Sequence, residues 1–358
     1  MPTIRSLRFR VANPPLAVPH ATAGGLVASF PMVLAEIVRD DGVRGTAYVF
    51  TYSIAFAGPV ARLLQELAPS LVGQDAAPAS LRALLARRFR LVGPQGFTMM
   101  AAAALDMAAW DAEAQAAGQP LYALLGAARR GTPGYAPVGM SGPDGAAREA
   151  AAGTALGFRA AKAKIGYASV DEDRAVVQAM RAALGAGGTT MVDYNQSLSV
   201  DEAIRRGRAL EGEGLAWIEE PVLAEDYAGH ARVKDAIATP VQAGENWWGP
   251  IEFRKAIAAG ATDLLMPDVM KLGGVSGWLE VAALAAEAGL RVSSHLFCEV
   301  SAHLMCATPT AHWLEWADWS NAVLEQPVPV QGGVVWPSDA PGIGIRLDEA
   351  ALARHELR

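Results

Sequence analysis

Six acidic or basic residues recur at nearly regular intervals between positions 164 and 295, each after a short apolar run typical of a β-strand. They are Lys164, Asp193, Glu219, Glu245, Asp268 and His295, separated by 23 to 29 residues. That interval suits one strand, one helix and two loops. In a β/α barrel the carboxyl ends of the strands converge on one mouth, so these residues would meet there. The set would place three carboxylates between a lysine and a histidine, an arrangement suited to removing a proton from carbon.

Three of these acids, Asp193, Glu219 and Glu245, end successive predicted strands. Carboxylate oxygens are the ligands that Mg²⁺ prefers, and three of them leave coordination positions open for water or substrate. The sequence has no Cys/His set with the spacing of a zinc site. One such acid alone would equally suit a helix cap or a salt bridge, but three in register on consecutive strands favour a Mg²⁺ site.

Lys162 and Lys164 are the predicted basic pair on one side of this site. They lie two residues apart in a strand, so both side chains point to the same face. Two neighbouring ammonium groups destabilise each other, and we expect the pKa of one lysine to fall toward neutrality, where it can act as a base. The alternative is a Lys-x-Lys pair on an exposed edge, but the flanking residues Ala161, Ala163 and Ile165 are apolar and favour an interior strand.

Asp268 and His295 end two adjacent predicted strands on the other side of the site. A carboxylate hydrogen-bonded to an imidazole fixes its tautomer and leaves the far nitrogen free to accept a proton. The other histidines are interpreted as structural, with a reservation for His20. Glu315 ends the next strand, where a protonated carboxyl would donate a hydrogen bond to an enolate oxygen. A buried salt bridge is the alternative role for Glu315.

Together these residues indicate proton abstraction beside a carboxylate. A small carboxylate substrate would bind Mg²⁺ while two bases flank its α-carbon. The resulting enediolate needs concentrated positive charge, which Mg²⁺ and Lys162 would supply, with a hydrogen bond from Glu315. Bases on opposite faces would remove a proton on one side and return one on the other, as in a two-base racemase.

The composition excludes several other classes of protein. The chain has 358 residues, 52% of them hydrophobic and 19% charged, as expected of a well-packed enzyme. The net charge of −7 and the absence of a basic segment argue against a nucleic-acid partner. The most apolar stretch is interrupted by Asp106 and Asp111, which argues against a membrane span. Only Cys298 and Cys306 are present and the N-terminus lacks a signal-like apolar run, so we expect a cytoplasmic protein without a disulfide framework.

The pattern along the chain predicts three parts. Residues 1–130 combine alternating strands with three later helices, which indicates an α+β unit. Residues 131–320 alternate between strands and helices, which indicates a (β/α) barrel. The segment 321–358 is rich in proline and glycine and is expected to return to the N-terminal unit. Barrel strands are predicted near 133–138, 159–165, 190–194, 215–219, 240–244, 263–267, 291–295 and 312–315.

Over essentially its whole length the chain resembles the enolase superfamily, and within it the mandelate racemase group. The strings that carry the resemblance are KAKIGY, MVDYNQSL, WIEEP, GENWWGP, MPDVMKLGGVSGW, SSHLF and SAHL…ATPTAHWLE. The resemblance implies an α+β capping domain, formed by both termini, over a modified (β/α)7β TIM-type barrel. It also implies a homo-oligomer, commonly an octamer.

The resemblance also implies a role for each site residue. It makes Asp193, Glu219 and Glu245 the Mg²⁺ ligands. Lys164 becomes the base for the (S)-enantiomer of the substrate, and the His295–Asp268 pair the base for the (R)-enantiomer. Lys162 would bind the substrate carboxylate, Glu315 would donate a hydrogen bond, and Asn195 would contact the α-hydroxyl.

The predicted substrate pocket only partly matches that of the family's namesake. Phe50, Tyr52, Thr22, Val27 and Leu296 match its aromatic-accommodating pocket. The departures are His20 in place of an apolar residue, Pro137 in place of a serine and Ala317 in place of a leucine. The leading hypothesis is therefore racemisation of mandelate or a related aryl or apolar α-hydroxy acid. The alternatives are dehydration of an acid sugar by the same bases, and a barrel kept as a binding protein.

Overall fold

The computed structural model describes residues 1–357, and its first part is an antiparallel sheet covered by helices. The strands of this part are β1 (Ile4–Ala12), β2 (Pro15–Thr22), β3 (Gly25–Ser29), β4 (Met32–Arg39) and β5 (Arg44–Phe50). The helices are α1 (Ile54–Leu71), α2 (Pro78–Arg88), α3 (Phe97–Ala117) and the single turn α4 (Leu121–Leu124). β1 pairs with β4 and β4 with β5, and α3 packs against the sheet. The predicted α+β capping domain is confirmed.

The capping-domain segment that carries several of the predicted pocket residues is a β-hairpin of β2 and β3. His20 lies opposite Val27, and Thr22 opposite Gly25. The turn closes because Gly25 adopts a φ of +132° and Thr22 Oγ1 accepts a hydrogen bond from the Gly24 amide. Because β2 pairs only with β3, it is an edge strand, and an edge tolerates the prolines that β2 contains.

The second part is a closed barrel of eight parallel strands with seven interposed helices. The strands are β6 (Thr132–Val138), β7 (Ala160–Lys164), β8 (Thr189–Asp193), β9 (Ile218–Glu219), β10 (Val241–Ala243), β11 (Leu264–Leu265), β12 (Arg291–Ser294) and β13 (Ala311–Glu315). The helices are α5 (Gly142–Ala155), α6 (Val170–Leu184), α7 (Val200–Leu210), α8 (Tyr227–Ala236), α9 (Gly249–Ala258), α10 (Val275–Ala288) and α11 (Cys298–Cys306). Each strand pairs with the next, and β13 pairs with β6. The predicted (β/α)7β barrel is confirmed.

Large side chains fill the barrel interior below the charged residues. This separate apolar cluster consists of Tyr135, Ala160, Met191, Trp217, Leu264 and Met266. Lys162 lies just above it, with its ammonium group 5.4 Å from the centre of the Tyr135 ring. This apolar cluster closes the amino-terminal end of the barrel, so the barrel opens only at the end where the sequence places its acids and bases.

A side chain of the capping domain caps a helix of the barrel. Helix α10 begins after Gly274, which has no side chain with which to cap it. Asp106 of α3 takes this role, since its Oδ1 accepts the Ser276 amide at 3.0 Å and its Oδ2 accepts the Ser276 hydroxyl at 2.5 Å. A Cβ at position 274 would lie 2.3 Å from Asp106 Oδ1, so glycine is what lets the carboxylate approach.

The C-terminal segment contacts both parts of the molecule. It contains β14 (Val330–Gln331), β15 (Val334–Val335), α12 (Glu349–His355) and β16 (Glu356–Leu357). β15 pairs antiparallel with β6 of the barrel, and β16 extends the capping sheet beside β1. The exact boundaries at residues 130 and 320 stay a prediction. Among the helices of residues 1–357, none has the length and apolar character needed to cross a membrane.

Candidate active site

Three buried carboxylates meet at the open end of the barrel. Asp193 ends β8, Glu219 ends β9, and Glu245 follows β10 after Gly244. One oxygen from each lies within 4.8 Å of the others. Burial raises the pKa of Glu219 to about 8, with Lys162 opposing this shift and Asp193 adding to it. Glu245 Oε2 is buried without a hydrogen-bond partner among the described residues. Hard oxygen donors, an unpartnered oxygen and mutual repulsion all fit a divalent cation such as Mg²⁺.

The two lysines of β7 contact these carboxylates directly. Lys162 Nζ lies 2.5 Å from Glu219 and 3.0 Å from Glu315. Lys164 Nζ lies 2.5 Å from Asp193 Oδ2. Burial lowers the pKa of Lys164, but the Asp193 carboxylate outweighs it and raises the pKa above its usual value. The pKa of Lys162 is also raised, by Glu219 and Glu315 against burial. These acids oppose the predicted fall of one lysine pKa toward neutrality, which counted the neighbouring lysine and Mg²⁺ but not the carboxylates. For the site with Mg²⁺ bound, that fall stays a prediction.

His295 and Asp268 form a hydrogen-bonded pair on the opposite side of the carboxylates. His295 Nδ1 lies 2.6 Å from Asp268 Oδ2. Asp268 Oδ1 accepts the amides of Met270 and Lys271 at 2.8 and 3.2 Å, which fixes the carboxylate plane. His295 Nε2 lies 3.3 Å from Glu245 Oε2. Burial lowers the pKa of His295, and Glu245 and Asp268 together raise it above its usual value.

Glu315 ends β13 between the two sets of bases. It accepts the Leu296 amide at 3.3 Å and lies 3.0 Å from Lys162. Burial raises the pKa of Glu315, but Lys162 and His295 outweigh this and lower it to about 2. The hypothesis of a protonated Glu315 is therefore wrong for this arrangement, in which Glu315 is a carboxylate held by cations.

A cavity of about 270 Å³ lies above these groups, between the two domains. The predicted lining residues from the capping domain are His20, Thr22, Val27, Phe50 and Tyr52. Those from the barrel are Lys164, Asn195, Glu245, His295, Leu296 and Glu315. Pro137 and Ala317 also line it, whereas Lys162, Asp193, Glu219 and Asp268 are buried and are not among the lining residues. Sequence positions more than 290 residues apart thus meet at one cavity.

Asn195 follows Asp193 in a strained turn. Its φ is +43°, and its side-chain amide donates to Asp193 Oδ2 at 3.2 Å. Asn195 Oδ1 has no hydrogen-bond partner among the described residues. The conformation presents an unpaired amide oxygen beside the carboxylate cluster.

Trp319 is a lining residue that the sequence analysis missed. It lies after β13, where no periodic pattern marks an element. Its ring centre is 5.8 Å from that of Phe50 and 5.6 Å from that of His20. Burial lowers the pKa of His20 to about 4, so its imidazole is neutral at pH 7. The cavity wall opposite the carboxylates is therefore aromatic and uncharged.

A (β/α)7β barrel with a capping domain and a carboxylate cluster between a lysine and a histidine defines a class of metal-assisted enzymes that deprotonate carbon. Residues 145–351 match the family model described as Enolase C-terminal domain-like. Residues 4–126 match that of the Mandelate racemase / muconate lactonizing enzyme N-terminal domain. The chain belongs to the enolase superfamily, in its mandelate racemase / muconate lactonizing enzyme group.

Individual relatives differ in the reaction that their names state. An enolase from Bradyrhizobium, solved with magnesium and mandelic acid, is 40% identical, with a TM-score of 0.96 and coverage of 100% of this chain and 99% of its own. L-talarate/galactarate dehydratase of Salmonella typhimurium is 32% identical over 97% of this chain and 90% of its own length. D-galactarolactone cycloisomerase of Agrobacterium fabrum is 32% identical over 99% of both.

The comparisons confirm Mg²⁺ as the cofactor, since several of the similar solved structures contain magnesium and the acidic triad is present here. They place the chain among enzymes whose reactions differ. A homo-octamer and a cytoplasmic location stay predictions.

Proposed function

We propose that this enzyme racemises an α-hydroxy acid with an aryl or other apolar side chain, by Mg²⁺-dependent abstraction of its α-proton. The observation that carries the proposal is that two bases approach one carboxylate cluster from different strands. Lys164 contacts the cluster at Asp193, and His295 contacts it at Glu245. Both line the same cavity, so a substrate seated there meets a base on either side.

Each of the site residues predicted from the sequence has a role in this reaction. Asp193, Glu219 and Glu245 hold Mg²⁺, which supplies positive charge to the substrate carboxylate and favours the neutral form of the nearby base. Lys164 exchanges a proton with the (S)-enantiomer. His295 accepts the proton of the (R)-enantiomer at Nε2, because Asp268 keeps the other ring proton on Nδ1.

The developing enediolate is stabilised by groups already oriented toward the cluster. Lys162 carries a positive charge at the bottom of the site. Asn195 has an amide group available for the α-hydroxyl of the substrate. Glu315 positions Lys162 through an ion pair. It becomes a hydrogen-bond donor when the charge of the bound substrate raises the pKa of the Glu315 carboxyl.

The cavity wall supports an apolar side chain on the substrate. Val27, Phe50 and Leu296 are apolar, and Tyr52 and Trp319 add aromatic faces. Aromatic side chains pack favourably on an aryl ring, particularly in tilted or offset arrangements. The mandelic acid in the similar Bradyrhizobium structure supports the same substrate class.

Dehydration of an acid sugar is the second candidate function. The names of several relatives state such a reaction, including the talarate/galactarate and arabinonate dehydratases. His20, Thr22 and Gln196 are uncharged polar residues of the cavity, in addition to Asn195, that would contact the hydroxyls of a sugar acid. A polyol needs a partner for each buried hydroxyl, and the aromatic wall offers few.

Proton NMR in D₂O separates these functions. The enzyme with Mg²⁺ is incubated with (R)- and (S)-mandelate, and in parallel with galactarate and other acid sugars. Loss of the α-proton signal from both mandelate enantiomers, with racemisation, is the expected result. A 2-keto acid formed from an acid sugar, without exchange from mandelate, would establish the dehydratase and refute the racemase.

A further inference from the structure

Lys271 is a buried cation that the proposed reaction does not use. It follows β11 and is 3% exposed. Its ammonium group lies 2.5 Å from Asn246 Oδ1. Among the described residues, no carboxylate lies within salt-bridge distance of it. A buried ammonium without a directly paired carboxylate is costly, so the groups that face it decide what it does.

The first of these groups is Asn246, whose amide orientation Lys271 fixes. An ammonium only donates hydrogen bonds, so it must face the oxygen of the amide and not its nitrogen. The nitrogen of Asn246 consequently faces two buried acids. It donates to Glu220 Oε2 at 2.7 Å and to Glu245 Oε1 at 3.2 Å. The Glu245 oxygen left without a hydrogen bond is therefore Oε2, the one nearest His295.

The other groups are two aromatic rings, one from each domain. The ammonium group of Lys271 lies 4.9 Å from the ring centre of Tyr52 and 5.6 Å from that of Trp248. Both distances are within the range of cation–π attraction. Tyr52 belongs to the capping domain, lines the substrate cavity and adopts a φ of +59°. That strained backbone needs a contact to hold it.

We propose that Lys271 is a positioning residue that couples the cavity wall to the metal site. Through its charge it holds the Tyr52 ring, and through Asn246 it orients Glu245. The inference rests on the proposed function insofar as Glu245 holds Mg²⁺. Its consequence is that a change at Tyr52, which lines the substrate cavity, alters the affinity for Mg²⁺, and that the cavity wall and the metal site respond together.

The test measures Mg²⁺ binding directly, by isothermal titration calorimetry of the full-length protein with MgCl₂ alone. Residues that orient a metal ligand typically contribute roughly 10- to 100-fold to metal affinity. We expect Lys271→Met to weaken Mg²⁺ binding by roughly 10-fold, near the lower end of that range because it acts through Asn246. Lys271→Arg keeps the charge and should restore most of the affinity. The matched control is Lys255→Met, which removes a lysine that is 58% exposed on α9.

A second variant keeps the proposal testable if Lys271→Met does not fold. Tyr52 is 40% exposed, so Tyr52→Leu should be tolerated. Cation–π contacts contribute about 0.5–2 kcal/mol, or roughly 2- to 30-fold. We expect Tyr52→Leu to weaken Mg²⁺ binding by roughly 2- to 5-fold, within that range. In the double variant with Lys271→Met the two losses should not add.

Wild-type Mg²⁺ affinity in folded Lys271→Met, or in Tyr52→Leu, would overturn the proposal. Additive losses in the double variant would also overturn it, because they would show two independent sites. Failure of the proposed function would look different. Wild-type protein would then bind Mg²⁺ but exchange no α-proton, and the calorimetric comparison of Lys271 and Tyr52 would still decide the coupling.

Discussion

Replacing Asp268 by asparagine should disable one of the two bases while leaving the other in place. Asp268 Oδ1 accepts two backbone amides, those of Met270 and Lys271. If the asparagine placed its nitrogen there, two buried N–H groups would lose their acceptor, at a cost of about 2–6 kcal/mol. The asparagine oxygen therefore stays at that position, and its nitrogen faces His295 Nδ1.

This orientation inverts the tautomer of the histidine. An amide nitrogen only donates, so His295 Nδ1 must become an acceptor and its proton must move to Nε2. A protonated Nε2 on a neutral ring cannot accept the α-proton of the substrate. General base catalysis contributes about 10²- to 10⁴-fold to a rate, or about 3–5.5 kcal/mol of activation free energy. We expect Asp268→Asn to slow α-proton abstraction from (R)-mandelate by about that factor.

The assay is proton NMR of each mandelate enantiomer in D₂O with Mg²⁺. Exchange from the (S)-enantiomer through Lys164 should persist, so deuterium enters without racemisation. Asp263→Asn is the matched control, because Asp263 accepts a backbone amide at the opposite, amino-terminal end of the same strand, β11. If Asp268→Asn exchanged the (R)-proton within about threefold of the wild-type rate, well short of the 10² expected for loss of a base, His295 would not be the base.

Four further predictions follow from the same structure. Lys164→Met should show the opposite bias, with loss of about 10² or more in exchange from (S)-mandelate and retention of exchange from (R)-mandelate in the same NMR assay. Chelation of Mg²⁺ by EDTA should abolish all exchange and lower the melting temperature, because the three carboxylates lose the cation that offsets their repulsion, and added MgCl₂ should restore both. Trp319→Ala should raise KM for mandelate by roughly 10-fold with a smaller change in kcat, since it removes an aromatic contact of about 0.5–1.5 kcal/mol together with its buried area. An unchanged KM would exclude Trp319 from the substrate pocket. Asp106→Asn should flatten the pH dependence of the free energy of unfolding between about pH 4 and 7. Burial raises the pKa of Asp106 to about 7 in the folded protein, so the folded state binds the extra proton and the stability that this group contributes falls as the pH rises. Urea unfolding at several pH values would detect the loss of this slope.

The barrel and its acidic triad could be predicted because one physical rule governs both. Each strand of a parallel barrel ends at the same mouth, so the recurrence of an acid after each apolar run carries spatial information. Asp193 and Glu219 are the last residues of their strands, and Glu245 follows its strand by two residues. Observed strand bounds lie close to the predicted ones because valine-, alanine- and leucine-rich runs are flanked by clear turn residues.

Features that depend on non-local contacts were not predictable in this way. Trp319 lies in an irregular segment, and only the folded chain brings it beside Phe50 and His20. The β2–β3 hairpin was hidden by Pro15 and Pro19, which a free edge tolerates. The raised lysine pKa depends on distances of 2.5 to 3.7 Å to acids from other strands, which sequence spacing does not give.

The cap that Asp106 provides for α10 has a consequence for how the molecule unfolds. A helix that lacks its own cap and borrows one from another domain loses that cap as soon as the domains separate. Undocking therefore frays the first turn of α10, so the barrel and the capping domain should melt as one cooperative unit. In native-state hydrogen exchange, the amide of Ser276 should open together with the amides of α3, and not with the outer helices of the barrel.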